Sequence, residues 1–303
     1  MILVMLGGRP EAMKVRCVLD AQAGLAEGPH WWAEKGVFLW VDIEASRVGF
    51  FDPVARSNRF LDLPSHVGAV VPTTAGDLVA ATAQGFVRLD PDSGVVTALH
   101  DPEPGRSEHR FNDGKCDPWG RFWAGTMAYD FSPGAGSLWR LNNDFSCSLQ
   151  WQELTISNGL AWSLDRRFLY LIDSPTLTVM AFPLTSTGGL ADHPTTCITI
   201  PAEWDALPDG MCIDAEGKLW IALFGGSAVT RWDPQDGRLM QTVELPCCQV
   251  TSCCFGGPDL DQLLITTARR GLDAQALGEQ PLAGGLFQLS LGMKGCRSEM
   301  FRV

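Results

Sequence analysis

Hydrophobic residues in this chain are concentrated in short, strand-like runs that recur at regular intervals. The main runs are rich in β-branched and aromatic residues, the composition that pleated strands favour. Six of them stand out: VFLWVD (37–42), DLVAAT (77–82), RFWAGT (121–126), FLYLID (168–173), KLWIAL (218–223) and QLLITT (262–267). Their first residues are 40, 44, 47, 50 and 44 positions apart. This spacing indicates an internal repeat, the usual signature of a repetitive architecture.

Further strand-like runs follow each main run in a fixed order. A second run begins at residues 47, 85, 137, 178, 228 and 285, and a third run follows in most repeats. The 3.6-residue periodicity of a helix is absent except over 271–280, where we expect one or two helical turns in a loop. About four antiparallel strands per repeat, in six repeats, predict an all-β fold, the six-bladed β-propeller. A pair of β-sandwiches would explain neither the even spacing nor the fixed order.

The sixth repeat lacks an outer strand of its own. Two segments could supply it, VRCVLDA (15–21) near the N-terminus and SEMFRV (298–303) at the C-terminus. Pairing N- and C-terminal strands in one blade would close the ring and remove its exposed edges. Met13 is an alternative start, so we expect residues 1–12 to be a disordered tail and residues 13–303 to form a single propeller domain.

The amino-acid composition disfavours nucleic acids and membranes as binding partners. The 23 basic and 35 acidic residues give a net charge of −12, which repels phosphate backbones and anionic membranes. No apolar run approaches the roughly 20 residues of a membrane span, and the N-terminus lacks the basic start of a signal peptide. The ten cysteines lie mostly in apolar runs and predict buried, reduced thiols. We expect a cytoplasmic protein that binds neither nucleic acid nor membranes, and the pattern does not indicate an oligomeric state.

A glycine-containing segment stands just ahead of each main run, and in four of the six segments a polar residue directly precedes the glycine, in what the sequence predicts to be a Gly-hinged turn. The segments are AEGPHWW (26–32), HVGAVVP (66–72), FNDGKCD (111–117), SNGLAWS (157–163), PDGMCID (208–214) and TSCCFGG (251–257). Because the innermost strand of every blade lines the central channel, these positions should converge at one channel mouth, the default place for a binding site. The converging polar side chains are Glu27, Asn112, Asp113, Asn158 and Asp209.

Carboxylates and amides without histidine or cysteine form a hard oxygen environment that suits Ca²⁺, Mg²⁺ or Mn²⁺. A single Asn-Gly or Asp-Gly pair is explained well enough by a tight turn. Their recurrence at one position of the repeat, together with Glu27 in a Glu-Gly-Pro sequence, favours a metal-binding site instead.

Several of these motifs resemble the SMP-30/gluconolactonase family of sugar-lactone hydrolases, also called regucalcin-like proteins. The motifs are AEGPHWW, HRFNDGKCDPWGRFWAGTM, SNGLAWS, LPDGMCID, CFGGPDLDQLLITTAR and PLAGGLF, and the resemblance extends over the chain from about Val15. It implies one divalent metal at the top of a six-bladed propeller, with Glu27, Asn158 and Asp209 as the protein ligands. It also implies that Arg110 and Asn112 contact substrate.

Asp130 is a further expected substrate-binding residue, because the family has an acidic residue after the A-G-T-M motif. In this chain Ala128 and Tyr129 follow the motif and precede Asp130, whose acidic side chain is short. His66 in the second mouth segment and His109 beside Arg110 are additional candidates, the first for a substrate contact and the second for proton transfer.

The activity implied by the resemblance is divalent-metal-dependent hydrolysis of an aldonolactone such as gluconolactone. Ca²⁺ is the first choice of metal, with Zn²⁺, Mn²⁺, Mg²⁺ and Fe²⁺ as alternatives. A metal can polarise the ester carbonyl and acidify water, and Asp209 or the activated water would act as base. Arg110 and Asn112 would orient the sugar and stabilise the developing oxyanion. Two other hypotheses remain open: a hydrolase of organophosphates or other esters on the same scaffold, and a non-enzymatic calcium-binding propeller.

Overall fold

Six four-stranded antiparallel sheets make up the protein, as a computed structural model that describes residues 15–191 and 193–303 shows. Each sheet contains strands that are consecutive in the chain, except the last, which includes the N-terminal strand. The inner strands of neighbouring sheets contact one another, and the contact between the first and sixth sheets completes a ring. The predicted six-bladed β-propeller is therefore confirmed.

The strands of the first three blades are β2 to β13, preceded by β1. Their bounds are β1 Arg16–Leu19, β2 Ala26–Trp32, β3 Val37–Asp42, β4 Arg47–Asp52, β5 Ser57–Asp62, β6 Val67–Pro72, β7 Leu78–Thr82, β8 Gly85–Leu89, β9 Val96–His100, β10 His109–Cys116, β11 Phe122–Ala128, β12 Gly136–Leu141 and β13 Cys147–Leu154. Blade one consists of β2 to β5, blade two of β6 to β9 and blade three of β10 to β13.

The remaining strands form blades four to six. Their bounds are β14 Ser157–Trp162, β15 Phe168–Asp173, β16 Thr178–Pro183, β17 Thr195–Thr199, β18 Leu207–Ile213, β19 Leu219–Phe224, β20 Ala228–Asp233, β21 Arg238–Glu244, β22 Val250–Gly256, β23 Gln262–Thr267 and β24 Leu286–Ser290. Blade four consists of β14 to β17, blade five of β18 to β21, and blade six of β22, β23, β24 and β1.

The N-terminal strand closes the ring by pairing with the last strand of the chain. β1 pairs antiparallel with β24, so that the prediction of closure by N- and C-terminal strands is confirmed. The other candidate segment, 298–303, does not join blade six. Its Phe301 forms a parallel bridge with Thr73 at the edge of blade two and is completely buried beside Phe145. The predicted tail, residues 1–12, lies outside the described residues.

The structure corrects one prediction from the sequence, that the polar Asn-Gly and Asp-Gly segments are turns ahead of the first strand of each repeat. These segments are themselves the innermost strands, here β10, β14 and β18, and the apolar main runs are the second strands. Their backbones are buried against neighbouring blades, so the glycines serve close packing rather than chain reversal.

In residues 15–191 and 193–303, helical structure lies only in connections between strands. The predicted turns in 271–280 are present as helix α1, Ala274–Glu279, whose N-cap Asp273 accepts a hydrogen bond from the Ala276 N–H. Two single 3₁₀ turns cover Ser174–Thr176 and Ala202–Trp204. Within the described part of the chain, no helix is long and apolar enough to cross a membrane. All ten cysteines are free thiols, as predicted, but only five of them are buried and the other five are partly exposed.

Buried tryptophans on the second strands of alternate blades anchor the core between blades. Trp40, Trp123 and Trp220 have no exposed surface. Because a buried indole N–H needs an acceptor, each is paired: Trp123 donates to Asp117 Oδ2 at 2.8 Å and Trp220 donates to Asp214 Oδ2 at 3.0 Å. The equivalent indole of Trp40 donates to Asn58 Oδ1 at 2.9 Å.

Asp214 organises the turn between the first two strands of blade five. One carboxylate oxygen accepts the backbone N–H groups of Glu216 and Lys218, each at 2.9 Å. The other accepts from Trp220 and from Arg231 Nε at 2.7 Å. A buried carboxylate with four donors is stabilised by hydrogen bonds and by the neighbouring charge, and its removal leaves all four donors unpaired.

We predict that Asp214→Ala lowers the free energy of unfolding by about 3 kcal/mol, because a buried arginine and three N–H groups lose their acceptor. Urea denaturation followed by tryptophan fluorescence measures the change. Asp165→Ala is the matched control, since Asp165 occupies the corresponding turn of blade four but is exposed. Its cost should stay below about 1 kcal/mol. Equal losses in the two variants would contradict the assignment.

Candidate metal and substrate site

A cavity of about 460 Å³ opens at one end of the central channel. The polar residues that line it include five of the six predicted site residues: Glu27, Arg110, Asn112, Asn158 and Asp209. Glu27 comes from blade one, Arg110 and Asn112 from blade three, Asn158 from blade four and Asp209 from blade five. Residues separated by more than 180 positions in the chain therefore meet because each lies on an innermost strand.

Irregular pairing at the inner strands places these side chains. The register between the first and second strands shifts between Glu27 and His30, between Phe111 and Asp113, between Ser157 and Leu160, and between Pro208 and Met211. A β-bulge adds a residue to one strand and redirects its side chains, and bulges are common beside functional sites. In this ring the bulges fall on the polar segments themselves.

The glycines that follow Asn158 and Asp209 let neighbouring inner strands approach closely. A Cβ added to Gly159 would lie 2.6 Å from Met211 Cβ and 2.7 Å from the Asp209 carbonyl oxygen. A Cβ added to Gly210 would overlap the Ser252 side chain. Any larger residue after Asn158 or Asp209 would push the blades apart, which explains the Gly in both motifs.

The carboxylates of Glu27 and Asp209 are almost completely buried and lie close to each other. Burial raises the pKa of both side chains well above the usual range, and the charge of Asp113 raises both further. The negative charge of Asp209 also raises the pKa of Glu27. Arg110 offsets part of this repulsion. The mouth therefore concentrates negative charge that a bound cation would stabilise.

Asp113 lies in the same buried charge cluster without lining the cavity. Burial raises the pKa of its carboxyl group, whereas the charge of Lys115 and the hydrogen bond from the Gly114 N–H, 2.7 Å long, lower it. Its contribution to the site is electrostatic, through the carboxylates of Glu27 and Asp209.

Asn158 is held in one orientation by its neighbour Ser174. The Asn158 Nδ2 group donates to Ser174 Oγ at 2.9 Å, and this hydroxyl donates in turn to the Pro208 carbonyl oxygen at 2.7 Å. The amide oxygen of Asn158 is buried and has no hydrogen-bond partner among the described residues. A buried, unpaired acceptor is costly, and a metal ligand is one role that accounts for it.

These residues fit a divalent cation that prefers oxygen ligands. Glu27 and Asp209 provide carboxylates, and Asn158 provides the unpaired amide oxygen. Across residues 15–191 and 193–303, no group of three or more His, Cys, Asp or Glu side chains is arranged to hold a metal. The candidate set is accordingly two carboxylates and one amide.

Arg110 and Asn112 form a connected pair on the wall of the cavity. Arg110 Nη1 donates to Asn112 Oδ1 at 2.8 Å and to the Phe111 carbonyl oxygen at 3.0 Å. Asn112 Nδ2 donates to the Ser157 carbonyl oxygen at 2.9 Å. Burial and the charge of Arg270 lower the pKa of Arg110 to about 10, so it remains cationic at neutral pH. Asn112 thus fixes the arginine, whose other guanidinium nitrogens face no bonded partner in the described chain.

Asp130 is separate from the other predicted residues. It lies exposed in the connection after β11, where its carboxylate accepts hydrogen bonds from the backbone N–H and hydroxyl of Ser132. These bonds lower its pKa, and the residue does not line the cavity. Its substrate-binding role stays a prediction of the resemblance alone.

The two candidate histidines have protein partners. His66 Nδ1 lies 2.8 Å from the Tyr129 hydroxyl oxygen near the mouth. His109 is buried and pairs with Glu103 at 2.8 Å, and the same carboxylate accepts from Thr126 and Trp139. The pairing with Glu103 therefore gives His109 a structural role.

Several cavity residues gave no recognisable signal in the sequence. Ser174 orients Asn158 from the turn after β15, whereas Gln249, Arg270 and Phe131 come from connections between strands. Connections have no hydrophobic periodicity, so their contributions to a cavity depend on the three-dimensional path of the chain.

Comparison with known proteins agrees with this architecture. The family model described as SMP-30/Gluconolactonase/LRE-like region matches residues 25–269. The chain is 41% identical to regucalcin of Danio rerio over 288 residues, which cover 94% of this chain and 97% of that protein.

Two solved structures are similar throughout. A calcium-binding protein, regucalcin, from Agrobacterium tumefaciens is 28% identical with a TM-score of 0.91, covering 96% of this chain and 98% of that one. A luciferin-regenerating enzyme is 30% identical with a TM-score of 0.90, covering 96% of this chain and 100% of that one. The mouth geometry, the family match and these relatives together show that the chain belongs to the SMP-30/gluconolactonase/LRE-like family.

Proposed function

We propose that the protein is a divalent-metal-dependent hydrolase that opens the ester of a lactone, with aldonolactones such as gluconolactone as the first substrates to test. The observation that carries the proposal is the unpaired amide oxygen of Asn158 beside the buried carboxylates of Glu27 and Asp209. Its position in a cavity that also contains a cationic arginine gives the site both a place for a metal and a group for an oxyanion.

Glu27, Asn158 and Asp209 would hold the metal, and Ca²⁺ suits their oxygen atoms best. When bound, the metal supplies Lewis-acid polarisation of the ester carbonyl and acidifies water. The Agrobacterium relative is a calcium-binding protein, which supports Ca²⁺ as the first metal to examine. Zn²⁺, Mn²⁺, Mg²⁺ and Fe²⁺ are the alternatives.

Asp209 would take the proton from the attacking water. Burial and the charge of Asp113 raise the pKa of Asp209 above the usual range of aspartate, which makes its carboxylate a stronger base than an exposed aspartate. Water then adds to the ester carbonyl carbon, and the carbon–oxygen bond of the ring breaks. The leaving alkoxide regains a proton, so the product is a hydroxy acid.

Arg110 would stabilise negative charge on the carbonyl oxygen. One guanidinium nitrogen is fixed by Asn112 and by the Phe111 carbonyl, so the side chain is preorganised and the remaining N–H groups are available. Donors that are already oriented contribute most to stabilising an oxyanion, because no reorganisation is needed during reaction. Asn112 acts here by positioning Arg110.

Calcium binding without catalysis is the second candidate, favoured by the same buried carboxylates and by the similarity to that calcium-binding relative. The two functions differ in one measurement. Chelator-treated protein, with each of the five metals added back, is assayed against a panel of lactones. Metal-dependent turnover supports the hydrolase, whereas Ca²⁺ binding without turnover of any lactone supports the binding protein and overturns the hydrolase.

We predict that Asn158→Ala removes the stabilisation that Ca²⁺ gives the wild-type protein. A ligand at 100 times its dissociation constant stabilises a folded protein by about 2.7 kcal/mol, so chelation should lower the melting temperature of the wild type but not of the variant. Thermal unfolding with EDTA and with Ca²⁺ measures this difference. Asn143→Ala, at an exposed asparagine, is the control and should respond as the wild type does. An unchanged Ca²⁺ response in Asn158→Ala would remove Asn158 from the ligand set.

We predict that Asp209→Asn lowers kcat for lactone hydrolysis by at least about 100-fold, because the amide can neither accept the proton nor balance the metal charge. Steady-state kinetics with saturating Ca²⁺ provides the measurement. Asp130→Asn is a matched change outside the cavity and should alter kcat by less than about twofold. A large loss in Asp130→Asn would restore the role that the family resemblance implies for it.

A further inference from the structure

The exposed surface of the mouth cavity is mostly apolar, although the site is expected to take a sugar derivative. Of the fifteen residues that line it, six carry large apolar side chains: Leu25, Met127, Phe131, Ile156, Leu207 and Phe224. They come from blades one, three, four and five, so apolar surface surrounds the space instead of forming one patch.

Most polar groups of the cavity already have protein partners. The Asn112 amide oxygen accepts from Arg110, and one of its two N–H groups donates to the Ser157 carbonyl oxygen. The Ser174 hydroxyl is engaged by Asn158 and by the Pro208 carbonyl oxygen. Outside the candidate metal ligands, the side-chain groups left for a ligand in the described lining are the second N–H of Asn112, the other guanidinium nitrogens of Arg110, the Arg270 side chain and the unpaired Gln249 Oε1.

This inventory does not match a fully hydroxylated lactone. Each hydroxyl carries one donor and two acceptor positions, and a hydroxyl buried without partners weakens binding. An alkyl or aryl substituent makes no hydrogen bonds that the apolar wall would leave unsatisfied. Its transfer from water to this wall contributes favourably to the free energy of binding. The guanidinium N–H groups of Arg110 that have no protein partner are sufficient to bind the ester carbonyl, a group that every lactone has.

Phe131 is the most distinctive part of this wall. It follows β11 in blade three, and its ring, 43% of the residue being exposed, lies 5.4 Å from the guanidinium carbon of Arg270. Arg270 follows β23 in blade six, so this cation–π contact crosses the mouth between opposite blades of the ring. Glu44 pairs with Arg270 at 3.3 Å, and Gln249 donates to the Arg270 carbonyl oxygen at 2.8 Å. These contacts hold the ring beside the entrance.

We propose that the cavity selects lactones that carry an apolar alkyl or aryl substituent, and that Phe131 is a specificity-determining contact for that substituent. The inference rests on the proposed function, because it takes the opening of a lactone ester as given and names the class of lactone. Arg110 and the metal ligands would bind the ester group, whereas the apolar wall would contact the remainder of the substrate.

The test compares two six-membered lactones, glucono-δ-lactone and δ-decalactone, with the Ca²⁺-loaded full-length protein. We expect kcat/KM to be at least about tenfold higher for the alkyl lactone, the discrimination that one or two methylene groups commonly provide in an apolar pocket. Phe131→Ala should lower kcat/KM for δ-decalactone about tenfold and change that for gluconolactone less than about twofold. Phe131→Leu, which keeps apolar surface, should retain most of the alkyl preference.

Phe60→Ala is the matched control. Phe60 is 39% exposed and also has an arginine over its ring, with the Arg47 guanidinium carbon 3.9 Å away, but it lies on the outermost strand of blade one. This variant should leave both substrates unchanged. Equal or better turnover of gluconolactone by the wild type, or an equal loss on both substrates in Phe131→Ala, would overturn the inference while leaving the lactonase proposal intact.

Failure of the proposed function has a different signature, since no lactone would then be hydrolysed with any metal. In that case the preference for apolar substituents is tested by the binding of the corresponding cyclic amides, which resist hydrolysis. Calorimetry with an alkyl δ-lactam and with the hydroxylated δ-lactam should show tighter binding of the alkyl compound. Equal or weaker binding of the alkyl lactam contradicts apolar selection whether or not the protein is an enzyme.

Discussion

Two carboxylates buried beside each other at the channel mouth are the constraint on which the rest of the site depends. Glu27 and Asp209 are removed from water, the charge of Asp209 raises the pKa of Glu27, and the charge of Asp113 raises the pKa of both. Isolated charges in such a place are strongly disfavoured, so they persist where a counter-charge or a proton accompanies them. Arg110 supplies part of that charge, and the unpaired Asn158 oxygen indicates where a cation would complete it.

Three features of the propeller backbone bring these groups together: β-bulges, glycines and closure of the ring. Bulges on the inner strands turn the polar side chains toward one end of the channel. Glycines at 159 and 210 let adjacent inner strands approach to distances that no side chain would allow. Closure of the ring through β1 and β24 then prevents the blades from spreading. The geometry of the site is consequently a property of the whole ring and not of a local motif.

The repeat could be predicted because each second strand is a buried, nearly continuous apolar run, such as Phe168–Asp173. The innermost strands resemble turns in sequence because Asn-Gly and Asp-Gly are typical of turns, and the sequence does not reveal a bulge inside a strand. Five of six site residues lie together as the motifs indicated. Phe131 and Arg270 could not be predicted, since their contact joins connections from opposite blades.

Different parts of the fold hold the residues proposed for catalysis and the residues proposed to determine which lactone binds. Residues on the inner strands provide charge and hydrogen bonds at the metal and the ester, and residues on the connections provide much of the apolar wall. Connections tolerate change more readily than strands that pack in a ring. A change of preferred lactone would therefore require substitutions at connection positions such as Phe131 and Ile156, with the polar residues of the inner strands unchanged.

The central claim is that Glu27, Asn158 and Asp209 bind one divalent cation through oxygen. A crystal structure of protein soaked with Ca²⁺ or Mn²⁺, with anomalous scattering to locate the ion, tests it most directly. The account predicts one dominant peak at about 2.3–2.6 Å from Asn158 Oδ1 and from both carboxylates for Ca²⁺. No peak at millimolar metal, or a dominant peak away from these three side chains, would contradict it.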